Sequence, residues 1–352
     1  MRIAQISSCY HRTPPAGGGG IEWLVSYLTE ELVAMGHEVT LFATGDSVTR
    51  AGLWYLYEAP TGAYDWADEI EHAARACEYI AARDFDIVHN HLFSLGLAPL
   101  YLCEVPSITT MHLGPHQVWS TVHKAVSRRL QFVSISRKQR ERDPKLNWIG
   151  TVHNGVNVDD FPYDEKKEDY LLFVGRINRE KGPHLAIQAA KKAGRRLKIA
   201  GPIDLPATYF EEQIAPMIDG TSVEYVGEVN FDQKADLYRR ASALVAPTTA
   251  EESFGMVFLE AMSCGTPVIT FAIGAAPEII LHGETGYLVT DMAEFVDAIR
   301  KVDRISARTC REHVQRTFSS RVMAERYVEI YEKVLAEHKT GITQELRRPT
   351  HA

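Results

Sequence analysis

Pro247-Thr-Thr-Ala-Glu-Glu-Ser-Phe-Gly-Met-Val-Phe-Leu-Glu-Ala-Met-Ser-Cys-Gly-Thr-Pro267 is the stretch around which the chain is organised. The apolar run Ala243 to Ala246 precedes it, a polar loop follows, and then Met256, Leu259 and Met262 fall at helical spacing before Gly265 and Pro267 close the segment. The pattern predicts strand, loop, helix. A loop at the carboxyl end of a strand that opens a helix is where open parallel sheets bind ligands. The backbone N–H groups of Ser253, Phe254 and Gly255, with Met256 and Val257 next in line, favour an anion there. Glu260 lies just over one turn into the helix, where a carboxylate can accept from two vicinal hydroxyls of a ribose. Glu252 stands at the loop mouth.

Glu252 and Glu260, with the flanking Ser-Phe-Gly, Glu-Ala-Met and Gly-Thr-Pro-Val-Ile, resemble the Glu-x7-Glu signature of the retaining GT-B glycosyltransferases grouped as family 4. Two glutamates at this spacing usually mark a solvated helix face, so the neighbours carry the specificity. The resemblance implies an α/β fold of two Rossmann-like domains facing across a cleft. It further implies that a nucleotide sugar is held mainly by the second domain and the acceptor mainly by the first.

Working outward, the second half begins at Tyr170 after the turn Asn154-Gly155-Val156-Asn157 and the charged segment Asp164 to Asp169. We expect an N-terminal acceptor-side domain over 1–155, a nucleotide-sugar domain over 156–318, and a C-terminal helix and tail over 319–352, the helix crossing back to the first domain as in the resembling fold. Leu171 to Arg176 reads as a buried strand and Pro183 to Ala193 as a helix, which puts Arg176 and Lys181 in one strand-to-helix loop. An isolated Arg and Lys would be surface charges; beside a pyrophosphate they would neutralise charge growing on the leaving group. The Gly175-Arg176 and Lys181-Gly182 pairs match the family motif. Strands are expected at Leu197 to Gly201 and Val223 to Gly227, with Gly227 facing the nucleotide, and helices at Phe210 to Met217 and Phe231 to Ala241. Many relatives carry a second glycine where Ala275 stands.

In the first half, Arg2 to Ser8 reads as a strand, and the glycines 17–20 open a helix from Ile21 to Met35. Gly19 and Gly20 can bring amides against a phosphate without a Cβ in the way, and in the resembling family this loop faces the donor pyrophosphate. It is not the Gly-x-Gly-x-x-Gly fingerprint, and a glycine run alone reads as a flexible loop. Asp86 to His91 is a strand whose His89 and His91 share one side, read as hydrogen-bonding groups because no Cys, Asp or Glu lies near them at ligand spacing. His112 follows the strand Val105 to Met111; a histidine there is usually structural, and the resemblance implies a donor-sugar contact. His112 and His116 lack the Glu of a His-Glu-x-x-His zinc site.

Between His123 and Lys145 the chain is basic. Such runs are mostly solvated helix faces, but Arg128 and Arg129 also suit an anionic acceptor or membrane surface. From Met292 the chain reads as helices, with a polar tail after His338.

At 352 residues, 45% hydrophobic and 24% charged, the composition is that of a soluble two-domain protein, and a net charge of −8 excludes a general nucleic-acid binder. Five scattered cysteines give neither a disulfide framework nor a zinc knuckle. No apolar run reaches membrane-spanning length and Met1 to Ser8 is strand-like, so a cytoplasmic protein is expected, with membrane association not indicated.

The expected activity is retaining transfer of a hexose from a nucleotide-diphosphate sugar, UDP favoured and GDP-mannose the alternative, to a hydroxyl acceptor. Neither cofactor nor metal is expected, since the nucleotide sugar is a substrate. Arg176, Lys181, Glu252 and His112 are the expected catalytic residues. The readings weighed against this are a glycoside hydrolase, an inactive nucleotide-sugar-binding module, and a sugar-nucleotide epimerase.

Overall fold

A computed structural model of the protein describes residues 1–17, 19–62, 66–113 and 120–346. It divides into two compact units, Met1–Asn154 with Ser320–Ala352, and Gly155–Ser319.

The first unit is built on parallel strands β1 (Arg2–Ile6), β2 (Glu38–Ala43), β3 (Gly52–Tyr55), β4 (Ile87–Asn90), β5 (Ser107–Met111), β6 (Gln131–Ser134) and β7 (Trp148–Thr151), in the order β3-β2-β1-β4-β5-β6-β7. Helices α1 (Gly20–Ala34), α2 (Trp66–Ala81), α3 (Leu97–Leu102), α4 (Ser120–Val126) and α5 (Arg137–Glu141) connect them. The inner strands are short apolar runs because helices cover both faces of a parallel sheet. Phe42, Val88 and Phe132 meet Ala76, Ile80 and Leu97 in one buried cluster.

The second unit repeats the plan with β8 (Tyr170–Val174), β9 (Arg196–Ala200), β10 (Val223–Gly227), β11 (Ala243–Ala246), β12 (Val268–Phe271) and β13 (Gly286–Val289), ordered β10-β9-β8-β11-β12-β13. Its helices are α6 (Pro183–Ala193), α7 (Phe231–Arg240), α8 (Met256–Ser263), α9 (Ala276–Ile279), α10 (Met292–Lys301) and α11 (Ala307–Thr317). Helix starts follow their caps. Pro183 occupies the first turn of α6, Asn230 and Gln233 form a reciprocal capping box on α7, and the Asp291 carboxylate accepts from two amides of α10.

The final helix, α12 (Ser320–Leu346), belongs to the first unit and packs on α1 and β7. Ser320 Oγ donates to Glu31 at 2.8 Å, and Lys333 Nζ donates to the Ile149 carbonyl at 3.1 Å. Gly150 lies directly beneath it, where a Cβ would press on Ile330 Cδ1, the movable end of that side chain.

Several local expectations are corrected. β3 has no counterpart among the sequence expectations; it is a four-residue, half-exposed strand that pairs with β2. The helix expected over Phe210 to Met217 breaks into a π turn (Phe210–Ile214) and a 3-10 turn (Ala215–Met217), where Pro216 removes a backbone donor. Beyond β12 the structure adds a helical turn, Ala276–Ile279, and a strand, Gly286–Val289, that the sequence reading does not mark. Helix α12 continues past His338 to Leu346.

His72, His89, His91 and His112 are all buried in the first unit. Burial holds His72 down to about 4 and His112 down to about 3, and keeps His89 and His91 well below the ordinary imidazole range. An unfolded chain takes up these protons as pH falls through about 6.5 while the folded chain does not. Their contribution to stability is therefore whole above that pH and lost below it, each at up to about 1.4 kcal/mol per pH unit. Glu22 and Glu69, whose carboxyls are raised by burial, act in the opposite sense from about pH 4.5 upward. The tryptophans among the described residues, Trp23, Trp54, Trp66 and Trp148, belong to this unit, so their fluorescence reports its unfolding. The urea midpoint read by tryptophan should drop steadily from pH 7.5 to 5.5; a midpoint flat over that range would contradict the buried neutral state of these rings.

Candidate active site

In the second unit the strand order reverses between β8 and β11, which places the loops after those two strands side by side at their carboxyl ends. Main-chain hydrogen bonds lock the loops together. Thr249 N donates to the Glu180 carbonyl at 2.8 Å, and Thr248 Oγ1 donates to the same oxygen at 3.0 Å. Gly182, at φ 72°, lies so close to the Pro247 carbonyl that a Cβ would collide with it. Sequence separation thus becomes contact: Lys181 Nζ donates to Glu252 Oε1 in a short ion pair, with the two side chains 30% and 22% exposed.

Arg176 and Lys181 are held from one side by a small polar chain. Asn178 Oδ1 accepts from Lys181 N at 2.9 Å, Asn178 Nδ2 donates to Asp204 Oδ2 at 2.7 Å, and Arg176 Nη1 donates to that same oxygen at 3.2 Å. Asn178 and Asp204 carried no signal in the sequence reading. Glu252 is fixed from the other side: its carbonyl accepts from Ala275 N at 3.1 Å, and Gly274, at φ 57°, approaches so closely that a Cβ would sit 2.6 Å from that carbonyl oxygen. Ala275 is fully buried at this contact.

Gly255 caps α8 at φ 101°, and a Cβ there would lie 2.6 Å from the Phe258 ring. Ser253, Met256 and Val257 are half-buried around it. The Phe254 side chain is buried and packs edge-on against Phe318 with ring centroids 6.1 Å apart, which leaves its backbone N–H, the group the sequence offers to an anion, as its means of meeting a ligand. Glu260 is engaged on both oxygens, by Lys234 Nζ at 2.9 Å and by Tyr238 Oη at 3.0 Å. Each oxygen keeps one lone-pair direction for a further donor. Gly175 follows β8 and Gly227 ends β10, and nothing crowds Gly227, whose carbonyl accepts from Gly201 N at 2.9 Å.

In the first unit the order reverses between β1 and β4. Gly19 caps α1 at φ 134°, where a Cβ would come within 2.9 Å of Pro15 and of Glu22 Oε2; Gly20 is the first helical residue and is exposed. Glu22 was missed in the sequence. Its carboxyl folds back toward this loop and is raised by burial, which favours the neutral form beside a would-be phosphate site.

His112, at the end of β5, is buried; its Nε2 lies 2.9 Å from His91 Nδ1, and Phe93 packs edge-on against its ring at 6.0 Å. Phe93 holds φ 50°, the one positive φ recorded for a non-glycine residue among the described residues. His116 lies outside the described residues. His89 and His91 are hydrogen-bonded side by side, their ring centroids 3.9 Å apart. Arg128 is exposed, whereas Arg129 donates to the Cys103 carbonyl at 2.9 Å and lies over Tyr101. The arginine pair is therefore divided in its tasks. Among the described residues no cluster of three metal-ligating side chains is found, and no helix is long and apolar enough to cross a membrane.

Comparison with known proteins follows the same division of the chain. The family model "Glycosyl transferases group 1" matches residues 158–315, and "Glycosyltransferase Family 4" matches residues 18–160. A glycogen synthase of Mycobacterium tuberculosis is 28% identical, over 94% of this chain and 94% of its own. AviGT4, a glycosyltransferase involved in avilamycin A biosynthesis, superposes with a TM-score of 0.75 at 28% identity, covering 96% of this chain and 98% of its own. Anabaena HepE, solved with UDP-glucose, shares the fold with a TM-score of 0.71 at 15% identity, covering 95% and 100% of the two chains.

Proposed function

The chain belongs to the GT4-type glycosyltransferases, with the group 1 and family 4 models between them taking in residues 18–315 and a two-domain GT-B fold, and from that premise we propose that it transfers the hexose of a UDP-hexose to a hydroxyl acceptor, releasing UDP, with retention of anomeric configuration. The observation that carries this is the Lys181–Glu252 pair at the switch point of the second unit, with Glu260 held by Lys234 and Tyr238 on the helix that follows.

In the second unit, Arg176 and Lys181 bind the diphosphate, the amides around Gly255, with Gly175 and the open backbone at Gly227, line the nucleotide, and Glu260 accepts from the ribose hydroxyls. Glu252 takes a sugar hydroxyl. In the first unit, Gly19 and Gly20 offer backbone to phosphate and His112 accepts from a sugar hydroxyl. As the glycosidic bond breaks, negative charge builds on the leaving diphosphate, and Lys181 and Arg176 stabilise it where it develops. The departing phosphate oxygen takes the acceptor's proton, so no dedicated protein base is required. With those two cations and helix N-termini meeting the diphosphate charge, no metal is needed. GDP-mannose is the alternative donor.

A hydrolase with Glu252 and Glu260 as its acid and nucleophile is disfavoured because each carboxylate is committed to a cation on a different element, Lys181 before α6 and Lys234 on α7. The test is product analysis with UDP-hexoses: UDP release should depend on an added hydroxyl acceptor and the product should keep the donor's anomeric configuration. Release to water alone, or an inverted product, would refute the proposal.

We assign the acceptor side to the exposed basic surface at Arg128. Arg128→Glu should raise the acceptor KM about tenfold while the donor KM holds. An unchanged acceptor KM would remove Arg128 from that role.

A further inference from the structure

His112 stands at the end of a buried hydrogen-bonded chain that the proposed reaction does not by itself use. Gln5, on β1, donates its amide Nε2–H to Tyr331 Oη of α12 at 3.0 Å, which turns its oxygen toward His91 Nε2 at 2.7 Å. Tyr331 Oη is in turn 2.8 Å from His89 Nδ1, and His89 Nε2 is 2.7 Å from Thr110 Oγ1. Gln5 and His89 are fully buried, as is Tyr331.

An amide oxygen only accepts, so His91 must carry its proton on Nε2. Burial keeps His91 neutral, and a neutral imidazole has one N–H, so His91 Nδ1 is bare and accepts. The atom facing it, His112 Nε2, must then donate. His112 is likewise kept neutral by burial, and its remaining nitrogen, Nδ1, is left with a lone pair and finds no hydrogen-bond partner among the described residues. A buried acceptor without a partner is a standing demand for a donor.

We propose that Gln5, acting through His91 and oriented by Tyr331, fixes the proton of His112 on Nε2, so that His112 Nδ1 is an acceptor-only atom that selects a neutral sugar hydroxyl. Gln5, His91 and Tyr331 are thus positioning residues. The sugar-selecting part rests on the assignment of His112 to the donor sugar; the tautomer does not.

The test is nitrogen NMR of the histidine rings in the full-length protein at pH 8, followed by titration of the same samples with UDP and with the UDP-hexose found active. His112 should show a bare Nδ1 and a protonated Nε2. Gln5→Met should lose that single tautomer and roughly tenfold in affinity for the UDP-hexose, with UDP affinity unchanged. Gln5→Glu, whose carboxylate still accepts from His91, should restore both. An unsubstituted protein with the His112 proton on Nδ1 overturns the relay without any variant, and so does an unaltered tautomer in Gln5→Met. If the tautomer is as stated but UDP and UDP-hexoses fail to bind, the donor assignment falls and the sugar-selecting role with it, while the relay stands.

Discussion

Lys181→Ala is expected to lower turnover by about a hundredfold or more, with a smaller change in donor KM. The reason lies in where the ammonium sits. The Lys181 amide is held by Asn178, its loop is tied to Thr248 and Thr249, and its Nζ is on Glu252 at the carboxyl ends of β8 and β11. A preorganised cation at a point where charge develops acts without reorganisation, and losing one such group typically costs about 10²–10³ in turnover. Lys181→Met is the better control for packing because it keeps most of the stem. Glu252, left without its partner in either variant, is partly solvated and should not unfold the unit. A fall of tenfold or less in both variants would take Lys181 out of the catalytic role.

The second large effect is expected on binding. Glu260→Ala removes both the proposed ribose acceptor and the shared partner of Lys234 and Tyr238, whose hydroxyl is fully buried and sits on a side chain with no route to solvent. Hydrogen bonds to charged groups are worth about 1.5–3 kcal/mol each, so the loss of two from a ribose should weaken UDP binding by a hundredfold or more. Stability should fall as well, by about 1–3 kcal/mol, because a buried hydroxyl is left unsatisfied. Glu260→Gln keeps the shape and an accepting oxygen, and should fall between. Calorimetry with UDP checks the first effect and urea unfolding the second. Nucleotide affinity unchanged in Glu260→Ala would place the ribose elsewhere.

What could be read in advance was what is written locally. The bounds of α6, β10 and β11 are the same in sequence and structure because Pro183, Gly194 and compact apolar runs mark them within a few residues. The two loops that meet at the switch point were each legible from the residue types they carry. Their junction was not, since nothing in the spacing of Lys181 and Glu252 says that β8 and β11 are neighbours. The partners of the named residues were hidden for the same reason. Lys234 and Tyr238 reach Glu260 from a different helix, and Tyr331 reaches Gln5 from the far end of the chain. At Phe254 the sequence offers a backbone N–H to an anion, and what it does not show is that the ring is spent on Phe318.

The most direct measurement is a calorimetric titration of the protein, and of Glu260→Ala, with UDP, GDP and ADP, each with and without magnesium. The predicted result is tight binding of UDP, equal in the two buffers and weakened by about a hundredfold or more in Glu260→Ala. No binding of any of the three nucleotides, or binding that needs magnesium and survives in Glu260→Ala, would contradict the assignment of this site to a nucleotide-diphosphate sugar.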